Sequence, residues 1–128
     1  MATRLGPRVL DFGLNVLDTE ATHIHICSAE PSSFANVAAV TLGNKNFGAG
    51  NAFGSPADGS TTDSRKVAST AITDGTVTAT GTATHWAAVD QTNSRLNATG
   101  PLPASLAVVS GSQFTLGSFE VEKPGRTA

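Results

Sequence analysis

Thr76-Val77-Thr78-Ala79-Thr80-Gly81-Thr82-Ala83-Thr84-His85-Trp86-Ala87-Ala88-Val89-Asp90 is the stretch on which the fold turns. Threonine and valine suit a pleated, half-buried surface, because the β-branch restricts χ1 and the threonine hydroxyl tolerates solvent. From Thr76 to Thr82, Val77 and Ala79 face away from Thr76, Thr78 and Thr80, the alternation of a strand. Thr84 to Asp90 reads as the next strand. Upstream, Asp74-Gly75 is a hairpin turn signal, and Lys66 to Thr73 reads as the strand leading into it. Downstream, Gln91 to Arg95 is a polar turn, and the chain returns along Leu96 to Gly100. Pro101-Leu102-Pro103 then breaks the pattern. Ala107-Val108-Val109 precedes a Ser110-Gly111-Ser112 turn, and Gln113 to Val121 reads as the last strand. Turn signals about every 8–12 residues imply an all-β domain, an antiparallel β-sandwich or barrel of Ig-like or jelly-roll-like kind. Ile24, Ile26, Val67, Val77, Trp86, Leu96, Phe114 and Leu116 lie on the apolar phase of these strands and are the expected core.

Nearer the N-terminus, Thr22-His23-Ile24-His25-Ile26-Cys27 alternates cleanly and is a strand. Ile24 and Ile26 face one side; His23, His25 and Cys27 face the other. Val9 to Leu17 fits both periods: residues 10, 12, 14 and 16 follow the strand, and 9, 10, 14 and 17 the helix. Gly13 in its middle weakens the helix and tips the reading to a short turn or strand. Val37 to Leu42 is a short candidate strand. Gly43 to Ser60 is glycine, asparagine and serine with two isolated phenylalanines, a long loop of the kind that is functional or flexible. Phe47 and Phe53 would pin it to the domain or to a partner. The expected organisation is an N-terminal arm over residues 1–21, a single β-domain over 22–122 and a C-terminal tail over 123–128.

The 128 residues suffice for one domain with a real core. Charged residues make up 14% and the net charge is -2, so the basic face that a nucleic-acid binder needs is missing. With 39% hydrophobic residues and little net charge, the composition is not that of a disordered chain. A single cysteine cannot form an internal disulfide framework. No apolar run reaches bilayer length and no signal-peptide pattern opens the chain, so a soluble domain with no membrane partner is expected.

The His23-x-His25-x-Cys27 stripe presents two imidazoles and a thiol on one face, a way to offer ligands to zinc. A metal centre needs a further ligand with its own supporting shell, and only His85 remains among the histidines. The competing reading is a polar sheet face or a subunit contact, and no metal, cofactor or catalytic residue is assigned. Cys27 beside His25 lacks a group to orient the imidazole, and a free cysteine is more often buried and inert. No Gly-x-Ser-x-Gly elbow and no phosphate-binding loop occurs. Asp18/Glu20 and Glu120/Glu122 sit near strand ends, where a solvated edge is the default. An enzyme is therefore not expected. Trp86 is read as core rather than as a sugar platform. Asn97-Ala98-Thr99 fits a glycosylation sequon and is read as incidental.

The runs GLNVLDTEATHIHICSAEP, RKVASTAITDGTVTATGTATHWAAVDQTNSRL and VVSGSQFTLGSFEV resemble a group of small structural proteins of tailed bacteriophages and prophages of alphaproteobacteria. The resemblance spans about Val9 to Val121. It implies a virion component made in the bacterial host cytoplasm: a capsid decoration (cement) protein that binds the outer capsid lattice and stabilises the head. The alternative is a tail or fibre component acting as a receptor- or carbohydrate-binding module. It also implies the major capsid protein as partner and a homotrimer. The expected contact residues are Leu5, Val9, Leu10, Phe12, Leu14, Val16 and Leu17 of the arm, with Phe47 and Phe53 of the loop.

Overall fold

The computed structural model describes residues 7–48, 50–59 and 64–123, and of residues 7–13 and Lys123 the backbone only. The elements in chain order are α1 (Pro7–Glu20), β1 (His23–Cys27), α2 (Phe34–Val40), β2 (Thr41–Asn46), β3 (Ala57–Asp58), β4 (Arg65–Ala68), β5 (Ile72–Val77), β6 (Gly81–Asp90), β7 (Arg95–Val108), β8 (Gln113–Leu116) and β9 (Glu120–Lys123). Six strands form one antiparallel sheet in the order β7-β6-β1-β2-β5-β8, curled into a half-barrel; β3-β4-β9 form a small second sheet. The protein is all-β in class, as its strand pattern implies.

The two sheets are joined by one corner. Ala68 pairs with Glu120 in the small sheet and Ile72 with Leu116 in the large one, so β4–β5 and β8–β9 are two long strands that bend together. At the bend, side chains replace part of the backbone ladder. Ser69 N donates to the Phe119 carbonyl at 2.7 Å, Phe119 N to Ser69 Oγ at 2.9 Å, and Ser118 Oγ to the Ser69 carbonyl at 2.7 Å. Strands that change sheet at such corners are how a sheet folds back over its own core.

The main core lies between one face of the large sheet, the small sheet and α1. Ile24, Ile26, Leu42, Val77, Trp86 and Phe114 meet Leu14 and Leu17 of α1, Val67 of β4 and Phe53 there. Trp86 stacks on Phe119 with ring centroids 4.3 Å apart. The opposite face of the large sheet carries a smaller cluster, Cys27, Ala87 and Val89, covered by Val37 of α2.

Several expectations change. Val9–Leu17 is helix, not turn or strand: burying Leu14 and Leu17 is worth about 1.5–3 kcal/mol each, more than the ~1 kcal/mol that Gly13 costs a helix. Residues 37–40 close α2, and the strand begins only at Thr41. Ser33 caps that helix, its Oγ accepting from Asn36 N. Asp74-Gly75 is no hairpin but lies inside β5, where Gly75 sits opposite Phe114. A Cβ at Gly75 would lie 2.3 Å from that ring, so the glycine gives room to an aromatic rather than turning the chain. Pro101 and Pro103 do not end their strand, because β7 is an edge and its outer side needs no ladder donors. The loop after Gly43 is shorter than expected: residues 43–46 belong to β2, Phe53 bridges to Ser69, and residues 57–58 form β3.

Candidate functional site

β1 lies inside the large sheet and turns His23, His25 and Cys27 to the face opposite Ile24 and Ile26, as the alternation implies. The His23 and His25 rings are stacked, 6.1 Å between centroids. Each has its Nδ1 against a threonine hydroxyl: Thr22 Oγ1 lies 2.8 Å from His23 Nδ1, and Thr41 Oγ1 lies 2.9 Å from His25 Nδ1. Burial pushes His25 down to about 4, helped by the charge that His23 would carry, and burial also lowers His23. Both imidazoles are therefore neutral at pH 7. Cys27 is fully buried, and burial raises its thiol to about 11.

Two adjoining hollows open on this face. One, about 230 Å³, lies under α2 and is lined by His25, Phe34, Val37, Ala38, Thr41 and Gln91. The other, about 300 Å³, is lined by Thr22, His23, Asn46, Gly48, Gln91 and Thr92. Gln91, at the turn after β6, belongs to both. Among the described residues, no ionisable side chain other than the two neutral imidazoles lines either hollow. Among the described residues no three His, Cys, Asp or Glu side chains come close enough to share a metal. His85 lies across from Cys27, and its Nδ1 is 2.9 Å from Thr84 Oγ1.

A second feature is the pair of sheet edges. β7 and β8 are the outermost strands of the large sheet, and the curl brings them to the two sides of one cleft of about 230 Å³. Leu102, Pro103, Ala104, Ser105 and Leu106 line it from β7, and Thr115, Leu116 and Gly117 from the β8 side. None of them is charged. β7 runs for 14 residues with one charged side chain, Arg95 at its start.

The expected contact residues are scattered by the fold. Leu14, Leu17 and Phe53 face inward and are 4%, 5% and 2% exposed, so their apolar area is already spent in the chain's own core. Phe47 packs partly buried against that core, and Val16 remains on the surface. Val9, Leu10 and Phe12 lie in α1 with side chains outside the described set, and Leu5 lies outside the described residues. The pattern missed Gln91, Thr22 and Asn46, since nothing in their local sequence distinguishes a groove lining from an ordinary polar turn. No family model matches the chain, and no curated protein or solved structure matches it either.

Proposed function

We propose that this chain is a non-enzymatic structural subunit of a tailed-bacteriophage particle, a decoration protein that sits as a trimer on the outer capsid lattice and contacts the major capsid protein. The reading is carried by the sequence resemblance over Val9 to Val121. The sparsely charged edge of β7 supports it: Arg95 is its one charge, although Pro101 and Pro103 limit its backbone pairing. An edge of this kind suits a protein that gains stability from neighbours by apolar contacts repeated over a lattice. The contact surface in this reading is the exposed Pro103, Ala104 and Ser105 of β7 together with exposed Val16 and Val109, since Leu14, Leu17, Phe53 and Leu102 are occupied in the core.

The test is co-sedimentation of the purified protein with undecorated capsids. Wild type pellets with the capsids. Ala104→Lys and Ser105→Lys, both at exposed positions, leave the fold intact and keep the protein in the supernatant. Wild type that never pellets would overturn the decoration reading. Detection of only a few copies per particle would move the chain to the tail or fibre.

A further inference from the structure

The two hollows beside β1 carry more chemistry than a lattice contact needs, and their hydrogen-bonding pattern can be worked out atom by atom. Thr41 Oγ1 donates to the Gly43 carbonyl at 3.1 Å, which uses its only hydrogen. His25 Nδ1, 2.9 Å away, must then be the donor, so His25 is the Nδ1–H tautomer and its Nε2 is a bare acceptor. Thr22 Oγ1 accepts from Gln91 N at 3.0 Å. The same hydroxyl stands 2.8 Å from His23 Nδ1 and 3.4 Å from the Val89 carbonyl. Each stacked ring is thus held at Nδ1 by its threonine, and neither Nε2 has a partner among the described residues.

Around this pair stand the Gln91 and Asn46 amides and the Thr92 hydroxyl, with Phe34, Val37 and Ala38 as an apolar wall. The Gln91 side chain makes no hydrogen bond to any described residue. The lining is neutral, rich in paired donors and acceptors, and has one aromatic surface. A charged ligand finds no counter-charge here, and a purely apolar one would leave these polar groups unpaired, at a cost for each. A ligand whose hydroxyls both donate and accept, and whose C–H face can lie on an aromatic ring, meets every group. The two hollows together fall in the lower part of the range of about 300–1,000 Å³ usual for small-molecule sites.

We propose that the groove between α2 and the β6–β7 turn is a binding site for a neutral saccharide of one or two rings, with Gln91 bridging its two halves and His23 and His25 reading hydroxyls through Nε2. This is independent of the particle reading, which concerns the β7 edge.

The experiment is a titration of the 15N-labelled full chain with glucose, galactose, N-acetylglucosamine and maltose, alongside glucose 6-phosphate and glucuronate. At least one neutral sugar should give saturable shifts confined to the amides of Thr22, His23, Asn46, Gln91 and Thr92 and to the two imidazoles. Gln91→Ala, at an exposed position with no side-chain partner to lose, should weaken that binding about tenfold, the scale of one hydrogen bond, with the melting temperature unchanged. His25→Gln should weaken it to a similar degree. Shifts with no neutral sugar, shifts that map elsewhere, tighter binding of the charged sugars, or unchanged affinity in Gln91→Ala would each overturn the assignment.

Discussion

Gly100 lies directly across from Trp86, and a Cβ there would come within 2.8 Å of the indole ring. Gly100→Ala should therefore force the indole off its stack on Phe119 and lower stability by about 1–3 kcal/mol in urea unfolding. Trp86→Ala, at a site 6% exposed, should cost about 3–5 kcal/mol. His25 supplies a pH-dependent term. Its folded-state value, about 4, lies below its ordinary 6.5, so the unfolded chain binds the proton more readily. The stability this represents is complete above pH 6.5 and is lost as pH falls through 4, up to about 3 kcal/mol. Thermal melts of wild type should drop across that window, and His25→Gln should flatten the drop. Cys27, raised to about 11, should react with a thiol reagent at pH 8 only as fast as the protein unfolds. The burial of Trp86, Ile24 and Ile26 was readable from alternation alone. The glycine partners were not, because a missing side chain carries no periodicity.

At the scale of elements, what the pattern missed has local causes. Leu96 was expected beside Trp86, but the register slips between Ala88/Ala98 and Val89/Leu96, leaving Asn97 as the extra residue. One bulged residue moves everything beyond it to the other face, and Leu96 accordingly packs with Val89 and Cys27. The same slip leaves Asn97 Nδ2 buried and without a hydrogen bond to any described residue, so the sequon there is closed to modification in the folded chain. α1 was obscured because the strand and helix periods coincide over its apolar residues, and tertiary burial decided between them. Leu17→Ala should then cost about 2–5 kcal/mol, as removal of a core side chain does, and a chemical-denaturation midpoint will show it. The expected strands from Lys66 and from Gln113 are present but bent at one corner. Ser69 and Ser118 make that corner with hydroxyls, which a polar/apolar pattern cannot register.

For the whole molecule, all-β class and antiparallel pairing follow from the threonine- and valine-rich alternation, whereas the groove needs residues from β1, α2, β2 and the β6–β7 turn that only the folded chain assembles. The scarcity of charge makes a prediction about the particle. If the proposed attachment through the apolar β7 edge holds, raising salt from low to moderate ionic strength should leave capsid co-sedimentation nearly unchanged. Release over that range would refute edge docking even if the protein is a decoration subunit.

The position of β1 has a further consequence, for how the chain folds as it is made. Among the described strands β1 is the earliest in the chain, yet it sits between β2 and β6 in the middle of the large sheet. Its partner Val89 lies far along the chain from His23, so the central ladder cannot close until β6 has been synthesised. Until then Ile24 and Ile26 lack the cover of Trp86 and the strands that follow it. The loop that must close over this separation makes refolding a matter of milliseconds to seconds, the range of β-proteins dominated by distant pairings, rather than microseconds. A nascent chain stopped before Gly81 leaves one edge of the apolar β1 unpaired and is a client for chaperones; one that has passed Asp90 can close that edge.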